Sequence, residues 1–226
     1  VVNTSKVAFT DEMDFTIEFW FNGTAQGDSA SLFSNGRGND SLGLTWDIFT
    51  TASNKIFVRN NGVTTTVTNN NYFNGQWHHF AMVMRRSANV DFFIDGNQVS
   101  SVPAQNFGEL GSANATFGTR RYFVGTTEFI DHRFTGIMDE ARIWNLARRQ
   151  EQIKRDRVSR LSGDEKGLVL YLPFEEYTEV LNVPVLTPSL KEVISDSLAV
   201  NNGTAAYEGT NMPAIKGPRP VQQIPV

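Results

Sequence analysis

Two histidines stand side by side in NGQWHHFAMVM, residues 74–84, in a chain with only three histidines and no cysteine. Adjacent imidazoles raise the chemistry of a metal site or of acid–base transfer. The neighbouring residues argue for neither. WHHFAMVM has the composition of a strand, and successive side chains in a strand point to opposite faces. His78 then lies with Phe80, Met82 and Met84, the row assigned to the core, and His79 with Trp77, Ala81 and Val83. Ring nitrogens on opposite faces do not chelate one ion, and His132 sits in a different, loop-like segment. Trp77, His78 and His79 are read as structural, each imidazole bonding a neighbouring oxygen.

Asp139 and Glu140 in GIMDEARIWN invite an acid–base reading. The same alternation sets Asp139 beside Ile137, Ala141 and Ile143, and Glu140 beside Arg142 and Trp144, so the two carboxylates do not act on one bond together. Asp139 is expected to cap backbone amides or to serve as a structural calcium ligand. Calcium would need several further oxygens from loops, and no other cofactor is implied. The chain has no Gly-x-Ser-x-Gly elbow, no phosphate loop and no His-Glu-x-x-His. The absence of cysteine excludes thiolate catalysis and Cys-ligated zinc.

These residues must be held by strands. Asx-Gly pairs at 22–23, 35–36, 61–62, 74–75, 95–96 and 202–203 mark tight turns. FTIEFWF puts Phe15, Ile17, Phe19 and Phe21 on one face and Thr16, Glu18 and Trp20 on the other. LGLTWDIF, KIFVRN, VTTTV and VDFFIDG continue in the same style, and DFFIDGNQV turns back on itself at Asp95-Gly96. Strands at such intervals argue for an all-β sandwich or barrel. One helical stretch interrupts them: NLARRQEQIKRDRVSRL (145–161), with Leu146, Ile153 and Leu161 on it and Asn145 placed to cap it. Its basic residues read as a solvated face rather than a phosphate-binding patch. GLVLYLPF resumes the strand pattern, and SDSLAVNNGTAAYEG is expected to close the domain as a strand pair.

The 226 residues suit one all-β domain, expected over 1–210, and Pro-rich 211–226 reads as a linker toward a following module. Twenty Lys and Arg against 24 Asp and Glu give a net charge of −4, which makes nucleic acid an unlikely partner. The apolar runs fall well short of the ~18 residues that span a membrane.

FTIEFWF, GQWHHFAMVM, VDFFIDGNQV, FTGIMDEARIWNLARRQEQI and GLVLYLPFEE, in this order, resemble the laminin G-like domains of the concanavalin A-like lectin/glucanase superfamily, which is related to pentraxins. The resemblance runs from about residue 7 to 176. It implies a two-sheet antiparallel jelly-roll sandwich with one short helix near 145–158. It also implies an opening strand with a Phe-Asp-Gly-like turn, which is either missing here or cut off. If first and last strands pair as in that family, Glu18 and Trp20 lie beside Glu140, Arg142 and Trp144, an ionic and aromatic set that holds the sheet together. Glucanases of the superfamily carry Glu-x-Asp-x-(x)-Glu on one strand. The one Glu-x-Asp here, Glu12-Met13-Asp14, is followed by Thr16 and Ile17 where the third carboxylate belongs. NDSLGLTW (39–46) approaches a sialidase Asp-box but has two residues, not one, between Asp40 and Gly43.

Binding remains. Sandwich lectins hold sugars with an exposed aromatic and a few polar side chains. The candidates are Arg37, Asn39 and Asp40 in one loop, Trp46 on the following strand, and Arg120 and Tyr122 in TRRY. The expectation is a non-catalytic module of a bacterial extracellular or cell-surface multidomain protein, with glycan as ligand. A structural or protein-recognition domain binding a surface protein is the alternative, and a glycoside hydrolase a more distant one.

Overall fold

A computed structural model describes residues 2–10, 12–35, 46–60, 62–124, 126–174, 178–180, 183–185 and 206–207. The first strands are β1 (Val2–Phe9), β2 (Phe15–Gly23), β3 (Ala30–Asn35), β4 (Trp46–Thr50), β5 (Ile56–Asn60) and β6 (Val63–Thr68). Next come β7 (Trp77–Met84), β8 (Asn89–Ile94), β9 (Asn97–Pro103), β10 (Leu110–Phe117), β11 (Arg120–Val124), β12 (Thr127–Asp131) and β13 (Gly136–Trp144). After the helix α1 (Gln150–Asp156) follow β14 (Leu168–Leu172), β15 (Thr178–Val180), β16 (Val183–Val185) and β17 (Ala206–Tyr207). One sheet runs β17-β1-β10-β3-β4-β5-β6 and the other β14-β13-β2-β7-β8-β9, with β11–β12 and β15–β16 as separate hairpins. All pairings are antiparallel, as the jelly-roll reading expects. Of the expected closing pair, Ala206 and Tyr207 are described, and they pair with β1; the rest of that segment and the Pro-rich tail lie outside the described residues.

Alternation builds the core. Phe15, Ile17, Phe19 and Phe21 of β2 and Phe80, Met82 and Met84 of β7 are fully buried against Leu32, Phe33, Ile48, Ile56 and Val58 of the facing sheet. Each such side chain contributes about 1.5–3 kcal/mol by leaving water. The β8–β9 turn forms as expected: Asp95 and Gly96 have φ of 53° and 78°, the left-handed pair a two-residue hairpin turn requires. Asn22-Gly23, by contrast, is no turn. Gly23 ends β2 opposite Gly136, where a Cβ would lie 2.7 Å from the Phe134 ring.

The outer face of the second sheet is covered by the segment after β13. The short helix expected near 145–158 forms over Gln150–Asp156, and Asn145 does not cap it. The Leu146 carbonyl accepts from Thr16 Oγ1, the Arg148 N–H donates to that same hydroxyl, and the Asn145 N–H donates to the Gly167 carbonyl. Backbone groups that a helix would use internally are bound to β2 and to the turn before β14. Arg148, expected on a solvated face, is buried: it donates to Glu18 Oε1 at 2.6 Å and pairs with Asp156. Trp144 Nε1 donates to the same Glu18 oxygen at 2.7 Å, Arg142 Nη2 donates to Glu140 at 2.6 Å, and Trp20 Nε1 donates to the Arg157 carbonyl. The expected set of Glu18, Trp20, Glu140, Arg142 and Trp144 is thus assembled on one face, with Arg142 in register with Glu18.

Two details differ from the sequence reading. Glu140 has φ of 51° and sits in a β-bulge between the Asp139/Trp20 and Arg142/Glu18 pairs. The bulge breaks the alternation, so Met138, not Ile137, joins Ala141 and Ile143 in the core. Asp139 then shares its position across the strands with outward-facing Trp20 and accepts the Glu140 N–H at 2.9 Å. The second concerns His79, which finds no oxygen: both ring nitrogens are buried without a hydrogen-bond partner, and Nε2 stands 3.7 Å from Glu18 Oε2. Burial, then Arg142, Arg157 and Arg148, holds its pKa well below 6.5. His78 does bond, through Nδ1 to Asp95 at 2.9 Å.

Candidate binding face

The hairpin β11–β12 stands over the outer face of the seven-stranded sheet. Its root is pinned to β3: Ser34 Oγ donates to the Thr119 carbonyl, the Arg121 N–H donates to Ser34 Oγ, and the Ser31 N–H donates to the His132 carbonyl. Register places Tyr122 opposite Phe129 and Arg120 opposite Asp131, and residues two apart share a face. Tyr122 and Phe129 stack with ring centroids 5.3 Å apart. The Arg120 guanidinium lies 4.7 Å from the Tyr122 ring centroid and forks onto Asp131, Nε to Oδ1 at 2.8 Å and Nη2 to Oδ2 at 2.7 Å. Phe129 is 40% exposed. Partial burial pushes the Asp131 carboxyl up, but the Arg120 fork outweighs it and holds the pKa below the usual carboxylate range.

The sheet beneath repeats this chemistry. One row across β3–β6 reads Ser34, Asp47, Arg59, Thr64, and the next reads Ser31, Phe49, Phe57, Thr66. Phe49 and Phe57 stack at 5.5 Å, and the Arg59 guanidinium lies 5.0 Å from the Phe49 centroid. Arg59 Nη2 donates to Asp47 Oδ2 at 2.8 Å, and Ser31 Oγ donates to the other oxygen at 2.6 Å. Asp47 is fully buried; desolvation raises its pKa against the pull of the Ser31 bond and the Arg59, Arg120 and His132 charges. Thr66 also lines a groove of about 450 Å³ with Thr68, Asn69, Asn70, Val99 and Ser100. Twice over, then, an aromatic pair adjoins an Arg–Asp pair. Ring faces suit the apolar C–H faces of sugars, and such ion pairs offer donors and acceptors side by side. The hairpin set is the exposed one, because Phe49 and Asp47 are buried whereas Phe129 is not.

Of the residues singled out in the sequence, the structure brings Arg120 and Tyr122 together on this face. Trp46 is corrected: it is fully buried, stacked on Phe107 at 5.3 Å, with Nε1 donating to the Glu109 carbonyl, and no ring face reaches a ligand. Arg37, Asn39 and Asp40 lie outside the described residues. Phe129 and Asp131 were not singled out. Their signal is the return strand TEFID, which pairs directly with RRYFV from Val124 opposite Thr127 onward. Among the described residues no three His, Asp or Glu side chains group as metal ligands.

Two antiparallel sheets over an aromatic core, one carrying a polar and aromatic outer face, define a lectin-like β-sandwich. The chain belongs to the concanavalin A-like lectin/glucanases superfamily, matching its Laminin_G_3 family over residues 1–154. A search of curated proteins gives no match. Among solved structures, a candidate carbohydrate-binding protein from Bacteroides ovatus superposes with a TM-score of 0.57 at 15% identity, over 88% of this chain and 59% of that one. The CBM40 module of Ruminococcus gnavus IT-sialidase, bound to α2,3-sialyllactose, gives 0.54 at 12% identity, over 69% and 94%. A pentraxin from Limulus polyphemus gives 0.51 at 11%, over 67% and 70%. Identities this low establish the fold alone. This chain spans 59% of the length of the Bacteroides ovatus protein. No helix among the described residues is long and apolar enough to cross a membrane.

Proposed function

We propose that this is a non-catalytic carbohydrate-binding module of a bacterial extracellular or cell-surface multidomain protein. Its ligand face is the β11–β12 hairpin with the outer surface of β3–β6. The observation that carries the reading is the exposed Phe129 stacked on Tyr122 beside the Arg120–Asp131 fork, all on one side of the hairpin. Carbohydrate-binding neighbours of the same fold support it. A hydrolase would need two carboxyls facing the sugar. Asp47 is fully buried behind Ser31 and Arg59, which among the described side chains leaves Asp131 as the carboxylate at the surface of this face. The adhesion reading wants a flat apolar patch, but the exposed large apolar side chains among the described residues are Val63, Phe129 and Val158, on separate elements.

A glycan array followed by calorimetric titration tests this. Wild type binds at least one sugar, and the Tyr122→Ala/Phe129→Ala double variant loses that binding while keeping its thermal midpoint within a few degrees. Binding that survives the double variant moves the site elsewhere. No binding across the array defeats the carbohydrate reading.

A further inference from the structure

We infer that this face selects uncharged sugars presenting neighbouring hydroxyls and discriminates against acidic ones. The inference rests on the carbohydrate reading above and names the ligand class of the same site. Two arginines on a ligand face would ordinarily suggest a carboxylate or sulfate ligand, because the guanidinium fork matches those groups. Here both arginines are already paired with carboxylates, Arg120 through two donors and Arg59 through one. Arg120 directs Nε and Nη2 at the two oxygens of Asp131, and Arg59 directs Nη2 at Asp47, whose other oxygen takes the Ser31 hydroxyl.

An acidic sugar seeking Arg120 must displace Asp131 or sit beside it. Displacement leaves Asp131 ionised and unpaired where it is partly buried. Sitting beside it sets two anions a few ångströms apart, which is unfavourable to both. Asp131 is not readily neutralised by protonation either, since its pKa is held down. A sugar hydroxyl meets neither cost, because it both donates and accepts. One hydroxyl donates to an Asp131 oxygen while its neighbour accepts from Arg120, with the ion pair intact. The Tyr122–Phe129 stack and the Thr64 and Thr66 side chains carry no charge and add no preference for an anion.

The test titrates the whole chain with two sets of sugars: lactose, cellohexaose, xylohexaose, mannohexaose and arabinohexaose against sialyllactose, hexagalacturonate and a heparin hexasaccharide. The best neutral sugar is expected to bind at least about tenfold tighter than the best acidic one. Its affinity should change less than about twofold between roughly 50 and 500 mM NaCl. Asp131→Asn frees the Arg120 fork and should narrow the gap several-fold by strengthening sialyllactose or hexagalacturonate. Tightest binding of an acidic sugar, weakening steeply with salt, overturns the inference and leaves the carbohydrate reading standing. A neutral preference unchanged in a folded Asp131→Asn variant overturns the role given to the ion pair. If neither set binds, the carbohydrate reading fails and this inference with it. Should Asp131→Asn not fold, the wild-type comparison and its salt dependence still decide the ligand class.

Discussion

Trp46 and Tyr122 are both aromatic residues next to charged ones in turn-flanked strands, yet they do opposite work. Trp46 alternates with Asp47 so that the ring enters the core and the carboxylate reaches the outer face. Removing the ring leaves a cavity among Phe15 and Phe107. Trp46→Ala should therefore cost about 3–5 kcal/mol, read as a lower midpoint in urea, with sugar affinity of the folded fraction unchanged. Phe129→Ala should do the reverse: stability within about 0.5–1 kcal/mol of wild type, but binding weakened about tenfold. Equal stability losses for the two variants would contradict this division. The sequence makes Tyr122 and Arg120 visible as loop aromatics and cations. It hides their partners, because Phe129 and Asp131 meet them only once the hairpin register is known.

At the scale of elements, the informative detail is where the helix begins. The charged run with apolar residues at 146, 153 and 161 holds the expected short helix, but α1 starts only at Gln150 and keeps seven residues. The competing claim came from β2, whose Thr16 hydroxyl and Glu18 carboxylate draw residues 146 and 148 into an extended strap. No local pattern announces that, since it depends on which strand lies beneath. The β13 bulge is hidden for a similar reason: its left-handed residue is Glu140, not the glycine or asparagine that would flag it. The alternation of β2 and the partnership of Glu18 with Arg142, on the other hand, follow from period and family order. The strap makes a sharp prediction. Arg148→Met leaves Glu18 buried with one fewer cation, which should cost about 3–5 kcal/mol. Adding Glu18→Leu should recover a good part of the loss by removing the stranded charge. Denaturant midpoints of the two variants check this, and a double variant no more stable than the single would contradict it.

The whole molecule has two outer faces with different fates: one open, with ion pairs beside aromatic rings, and one sealed by the strap over a buried ionic cluster. The sealed face makes overall stability depend on pH through His79. Around that ring stand Glu18 and Trp20 from β2, Arg142 from β13, and Arg148 and Arg157 from the strap and the end of α1, with Asp156 paired to Arg148. The folded protein keeps His79 neutral, with its pKa well below 6.5. The unfolded chain takes up that proton near pH 6.5. Between 6.5 and the folded value the unfolded state binds more protons, so stability is intact above 6.5 and falls as pH drops below it, by at most ~1.4 kcal/mol per pH unit. Asp131 and Asp156, with pKa values held below 3.8, lose their contribution only at lower pH, and Asp47, with its pKa raised, works in the opposite sense. Urea unfolding from pH 7.5 to 5 should therefore show a declining free energy in wild type and a flatter profile in His79→Gln. The slope, not the absolute stability, is the readout, because glutamine leaves its own polar groups in the same cluster. Equal slopes in the two proteins would assign the acid sensitivity to other groups and leave His79 a passive spacer under the strap.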